Sequence, residues 1–530
     1  MLTKESPVCK SPGGDVTLSR NRMKRIYWLL FVFAVALGIG LRVAAFFWND
    51  RLSGDVNLFA LTAREYVRHH RLDYPMKYEF TEHVPYLALH TPASQHPPLW
   101  PFLGGTVARW LGTDDTFFAL KLLCAATGIF LLLAIVMLVN RLQWPMEERL
   151  IALALILLSP MLTDFSANGS PYIVLALLLV VTSLLLLSAQ RQSPIRYALA
   201  GLVCGVAVQI HGLMLFLPVL FLYFWMKDLR RGPVNRRGVL IFVVTGVLTV
   251  LPWLCWNQAH FGRLFYSSST NHLFGQLGLL QFVADDNGLY YRVVAQPLAV
   301  LAPVYLRLFC KSLWEFSLYF LYEVGPFWLI PFWIGCRNHW RENRQQSAIL
   351  WLPVAGTLAV VWLWANAKFR FLVPILPVAY LLAAKGCAQL QRGQPRARQL
   401  GYICLIGLFG WSACAHIWQP TTRYAAFDNP HKALYSQMQP LAKQLANQPP
   451  GVVLGYARAL DGGVETVYWH PHPYVQATGI PPQYLTRLAA DFQVRYLWTD
   501  NALKETLTAT FPQAKLILSN RTFAVYEIQQ

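Results

Sequence analysis

The feature that most limits what this chain can become is a series of apolar runs separated by short gaps rich in Lys and Arg. Several runs reach the roughly 20 residues that cross a bilayer as a helix. Hydrophobic residues make up 55% of the 530, and only 13% are charged, where soluble domains carry about 25%. No single water-soluble core can hide that much apolar surface. The expected fold is therefore an all-α polytopic membrane domain.

The runs predict eleven transmembrane helices, at 26–48, 117–140, 150–165, 171–190, 196–211, 212–226, 238–257, 317–336, 347–366, 371–387 and 400–418. Residues 1–25 form a cytoplasmic leader containing Arg20, Arg22, Lys24 and Arg25. The first run is too long for a signal-peptide core and lacks a small-residue cleavage site, so it reads as a retained anchor. With the leader inside, every second gap must face the cytoplasm. Those gaps hold Arg141 and Arg149; Arg191 and Arg196; Lys227, Arg230, Arg231, Arg236 and Arg237; Arg337, Arg341 and Arg344; and Lys385, Arg392, Arg396 and Arg398. This is the bias the positive-inside rule demands. It also explains a net charge of +19 without nucleic acid, leaving lipid headgroups as the anionic partner. The nine Cys are scattered with no Cys-x-x-Cys pair, which supports neither a disulfide framework nor a zinc site.

The run 97–112 rises only about 24 Å as a helix, against a hydrocarbon core of about 30 Å. It reads as a juxtamembrane helix on the outer face, and 296–314 reads the same way. Two long outer loops follow, 49–116 and 258–316, within a membrane domain spanning 26–419. Residues 420–530 have mixed charge and no spanning segment. A helix near 431–447, strands at 452–456, 494–498, 515–518 and 523–528, and helical stretches near 482–491 and 501–510 suggest a small extracytoplasmic α/β domain. The chain thus reads as a multi-pass protein of a bacterial inner membrane, with its chemistry and its C-terminal domain outside.

Ionisable groups near a membrane are costly and mark function. Asp55, in Ser53-Gly54-Asp55-Val56, sits just past the first run: it is either a general base at the outer interface or the cap of the following helix. His96 precedes Pro97-Pro98, a stiff helix entry, and either binds a phosphate or acceptor or faces water. Lys368 and Arg370 lie on the face where few cations are expected. They either neutralise a lipid phosphate, Arg with its bidentate fork, or snorkel at span ends. Glu82 and His83 form a further polar pair, and Asp164 and Asn168 lie between the third and fourth spans. His211, at an outer turn, is more often a satisfied interfacial residue than a catalyst. A metal site built from Glu82, His83 and His260 or His272 has no supporting spacing.

Taken in chain order, the motifs resemble one family over roughly residues 26–390. They are Gly54-Asp55 with Phe59, Ala60, Ala63 and Arg64; Leu72-Asp73-Tyr74-Pro75; His96-Pro97-Pro98-Leu99; Pro252-Trp253 with Asn257 and Gly262; and Phe369-Arg370-Phe371 with Pro374 and Pro377. The set is similar to that of the GT-C membrane glycosyltransferases of the protein O-mannosyltransferase and lipid A aminoarabinose-transferase type. The resemblance implies sugar transfer with inversion, from a polyprenyl-phosphate donor to a lipid, glycan or protein of the envelope. It makes Asp55 the base and Arg370 the contact to the donor phosphate, with Lys368 and His96 beside it. Asp164 and Asn168, or Glu82 and His83, become the acceptor or second acidic site, and a divalent metal is left open. Gln95-His96 departs from relatives that carry Glu-Lys there. The rivals are a transporter or lipid flippase and a wall-polymer ligase using diphosphate donors. Transporters place polar groups at mid-membrane within inverted repeats; here they gather at one face, and no repeat is visible.

Overall fold

A helix satisfies its own backbone hydrogen bonds, so apolar runs in lipid have little choice but to become helices. The computed structural model describes residues 14–48, 55–78, 80–81, 83–187, 193–229, 236–267, 269–365, 368–418, 432–457 and 466–528. The first half of the chain holds α1 (Gly14–Trp48), α2 (Asp55–His69), the short strands β1 (Asp73–Tyr74), β2 (Met76–Lys77) and β3 (Thr91–Pro92), α3 (Leu99–Leu111), α4 (Thr116–Arg141), α5 (Met146–Leu157), α6 (Pro160–Phe165), α7 (Tyr172–Leu187), α8 (Pro194–Ile210), α9 (Leu217–Leu229) and α10 (Arg236–Phe261). There follow α11 (Ser269–Gln276), the hairpin β4 (Leu280–Asp285) and β5 (Gly288–Val293), then α12 (Leu298–Val324), α13 (Leu329–Glu342), α14 (Arg344–Leu363), α15 (Leu376–Arg392) and α16 (Pro395–Trp418). By length and apolarity α4, α10 and α14 are of bilayer-crossing size, while 31–47, α7, α8 and 212–225 are shorter apolar helices. The outer surface of α10 carries Leu240, Val243, Val244, Val247, Leu248 and Leu251 exposed. A helix with such a surface is at home only in lipid. Within the bundle α13 meets α15 at Gly335 and Gly386, where an added Cβ would overlap the Leu382 or the Pro331 carbonyl. Small residues allow this backbone approach.

Two expected spans are built differently. The span 150–165 is two helices, because Pro160 cannot donate to the ladder and Ser159 caps the new start, accepting from Leu162 N–H at 3.3 Å. The break exposes both kinds of backbone group, and a charged side chain meets each. Arg42 of α1 donates to the Leu157 and Ile156 carbonyls at 2.6 and 3.4 Å. Glu323 of α12 accepts from Ser159 Oγ and Met161 N–H, both at 3.1 Å. Each charge also has the sign its half-helix dipole favours. Arg42→Leu should lower stability by about 1–3 kcal/mol, since both carbonyls lose a charged donor; an unchanged melting temperature in detergent would refute this account.

The second correction concerns 296–314 and 317–336. They are not an outer-face helix followed by a span: α12 runs unbroken from Leu298 to Val324, and the stop lies at Gly325 (φ 77°) followed by Pro326. Nothing between Trp314 and Ser317 breaks a helix. The expected break separated an outer-face helix from a span, whereas only the Gly-Pro pair, with its left-handed turn and missing donor, ends α12.

Residues 432–528 carry α17 (Lys432–Leu445), β6 (Val452–Gly455), β7 (Tyr474–Gln476), α18 (Leu485–Asp491), β8 (Val494–Asp500), α19 (Lys504–Thr510), β9 (Lys515–Ser519) and β10 (Phe523–Glu527). The sheet order is β2-β7-β6-β8-β10-β9, parallel from β2 to β8 and antiparallel beyond. Its β2 edge comes from the first long loop, so the tail does not complete the sheet alone. The second long loop joins the same body: Leu289 of the hairpin shares a core with Phe80, Leu454, Val475 and Leu485. Tyr291 N–H donates to the Phe80 carbonyl at 2.7 Å, and its hydroxyl to the Gly479 carbonyl at 2.6 Å. Arg64 of α2 clamps the tail, donating to the Tyr468 and Val467 carbonyls at 2.8 and 3.1 Å.

Candidate active site

Four chain regions far apart in sequence converge at the start of α2. Asp55, its first residue, is buried and directs Oδ2 to Arg370 Nη2 at 2.9 Å and His96 Nε2 at 3.4 Å. Burial raises the carboxyl pKa, but Arg370, then His96, outweigh it and hold Asp55 well below the usual carboxylate range. Asp55 is therefore ionised at neutral pH. Its position in the first turn, where a helix favours negative charge, adds to this.

His96 is placed by the Pro97-Pro98 entry into α3 and by its neighbour. The Gln95 carbonyl accepts from Ser267 Oγ at 3.0 Å, and its side chain accepts from the Tyr78 hydroxyl at 3.4 Å. The His96 ring packs between Phe59 and His211, with centroids 5.1 and 5.3 Å away. Arg370 sits in a 3-10 turn, Phe369–Leu372, that precedes α15. Its guanidinium lies over the Tyr172 and Phe371 rings, at 5.5 and 5.8 Å from their centroids, a favourable cation–π setting.

Tyr172 is a site residue that sequence reasoning missed, and His211 is one that it weighed as a satisfied interfacial residue. His211 Nδ1 accepts the Leu213 N–H at 3.1 Å, which fixes the neutral tautomer with its proton on Nε2, 3.4 Å from the Tyr172 hydroxyl. A His at a turn between two apolar runs was the only signal. Tyr172, one Tyr among 24, carried none.

The other expected site residues are distributed around this centre. Lys368 is exposed; its carbonyl accepts from Phe371 N–H at 3.0 Å, and its ammonium has no ion pair among the described residues. Asn168 Nδ2 donates to Asp164 Oδ2 at 3.1 Å, and Asn168 Oδ1 accepts Ser170 N–H at 2.9 Å. That turn brings Gly169 (φ 82°) against Val56, where a Cβ would stand 3.2 Å from the Val56 side chain, so the loop buttresses α2 one residue from Asp55. His83 packs on Tyr266 at 5.5 Å, and Glu82 lies outside the described residues. His260 Nδ1 is 2.9 Å from the Trp256 carbonyl of its own helix. Among the described residues no three His, Cys, Asp or Glu side chains converge on a point suited to a metal ion.

The arrangement offers a buried carboxylate at a helix start, a cation paired with it over two aromatic rings, and aromatic walls. Residues 95–256 match the family model of dolichyl-phosphate-mannose-protein mannosyltransferase. No curated protein sequence matches the chain significantly. Among solved structures, ArnT from Cupriavidus metallidurans is 14% identical, with 94% of this chain and 97% of that one covered and a TM-score of 0.58. The Archaeoglobus fulgidus oligosaccharyltransferase AglB, solved with an inhibitory peptide and a dolichol-phosphate, is 14% identical over 96% of this chain and 75% of its own, with a TM-score of 0.59. The mycobacterial arabinofuranosyltransferase AftD reaches 0.50 at 11% identity, with 94% of this chain and 41% of that one covered. The fold is that of the GT-C membrane glycosyltransferases, as the order of motifs implied.

Proposed function

We propose that this chain is a membrane glycosyltransferase that moves a sugar from a polyprenyl-phosphate donor to an envelope lipid, glycan or protein on the extracytoplasmic face of a bacterial inner membrane. The contact of Asp55 with both Arg370 and His96 carries the proposal. It supports one carboxylate and two phosphate-seeking groups acting on the same substrate. The donor enters sideways from the bilayer with its headgroup at the cluster. Asp55 takes the proton of the acceptor hydroxyl as that oxygen attacks the anomeric carbon from behind and the polyprenyl phosphate departs, inverting the configuration. Arg370, joined by Lys368 from the exposed side, stabilises the charge that grows on the leaving phosphate. The aromatic walls keep water away. In this reading residues 1–25 are a cytoplasmic leader, 26–419 the catalytic membrane domain and 420–530 an extracytoplasmic α/β domain covering the acceptor side.

Purified protein in detergent, given a polyprenyl-phosphate sugar and an extract of envelope acceptors, should release polyprenyl phosphate and form a glycosylated product. A transporter or flippase would do neither. Absence of both products with every sugar offered would remove the transferase reading.

A further inference from the structure

We propose that the donor phosphate and Asp55 compete for Arg370, so that donor binding itself draws the guanidinium away and frees the base. The inference rests on the reading of the site given above and goes beyond it, because it sets an order: donor first, then activation of the acceptor.

As the site stands, Asp55 cannot serve a hydroxyl well. Its Oδ2 already faces both Arg370 Nη2 and His96 Nε2, and a carboxylate so held is a weak base. Arg370, however, is not fixed by Asp55 alone. It lies over Tyr172 and Phe371 at 5.5 and 5.8 Å, and a flat aromatic floor holds a guanidinium without dictating where its N–H groups point. Its backbone belongs to a short 3-10 turn rather than to a long helix, and its side chain is 20% exposed against 10% for Asp55. The cation is thus the more accessible member of the pair and can turn outward, whereas Asp55 is anchored in the first turn of α2. A phosphate offers Arg a bidentate partner. Once Arg370 engages it, Asp55 keeps only His96 and regains basicity when an acceptor hydroxyl can profit. Without donor the base stays occupied, which suppresses idle proton transfer.

Competition is reciprocal, so it can be read in the binding of polyprenyl phosphate, the product, with no turnover needed. Affinity is measured in detergent for the wild type, Asp55→Asn, Arg370→Ala and the double variant, each checked for a single sharp gel-filtration peak. Arg370→Gln replaces the alanine if that protein cannot be extracted. Removing a charged hydrogen-bond competitor should tighten binding in Asp55→Asn about tenfold. Arg370→Ala should weaken it, and the gain from Asp55→Asn should vanish in the Arg370→Ala background. A gain that persists without Arg370 would mean simple repulsion between carboxylate and phosphate, and would overturn the exchange. An unchanged Asp55→Asn affinity, with Arg370→Ala still weak, would also overturn it and leave the phosphate role of Arg370 standing. Normal affinity in Arg370→Ala would remove that role and the proposal together.

Discussion

Asp55→Asn should lower sugar transfer by about 10²–10⁴-fold, the range a positioned proton acceptor supplies. The substitution keeps the shape of the side chain and removes only its charge and basicity. The protein should still fold, because Arg370 keeps its place over Tyr172 and Phe371 and His96 keeps its ring contacts with Phe59 and His211. The measurement is polyprenyl phosphate released per enzyme per minute, with gel filtration of the same sample. Near-normal turnover in a well-folded variant would take Asp55 out of the mechanism.

Arg370→Ala should cost about 10²–10³-fold in turnover, the usual loss when one fixed donor to a developing negative charge is removed. It also strands Asp55, whose remaining close partner is His96 at 3.4 Å. The group that holds the Asp55 carboxyl low is then gone while burial, which raises it, stays. The acid limb of the pH–rate profile should therefore move to higher pH: the base stays protonated, and so inactive, up to a higher pH than in the wild type. Arg370→Lys restores charge without the planar fork and should recover only part of the rate. A profile that does not move, together with wild-type rates, would show that Arg370 neither tunes the base nor serves the leaving group.

What could be read from the sequence divides along physical lines. Apolar length and gap charge located α4, α8, α10, α14 and α16, because a bilayer demands both. The same signal was blind to Pro160, since hydropathy summed over 150–165 does not register a capped break. It was misled at α12, where charges looked like the end of a membrane segment. Arg42 and Glu323 went unremarked because one charge in a long apolar run, or one at a span end, says nothing of the carbonyl or N–H it meets. Asp55, His96 and Arg370 were legible through the order of their motifs, and the structure unites them. Tyr172 and His211 join the site only through the packing of α7 and the turn after α8 against the turn before α15, and no local pattern encodes that. Strand β2 is Met76–Lys77 alone, too short for any alternation to reveal.

The seating of the first long loop on the tail has a bearing on synthesis. Arg64 waits for carbonyl partners as much as 404 residues downstream, and β2 for a strand still further along the chain. A ribosome delivers residues in order, at about 5–20 per second, so the loop that leads to His96 has no partner strand to join until β7, Tyr474–Gln476, emerges. A truncated or stalled product would carry every helix of the membrane part yet lack a seated loop. Seating of that loop in such a molecule waits for β7, about 400 residues after the strand it receives.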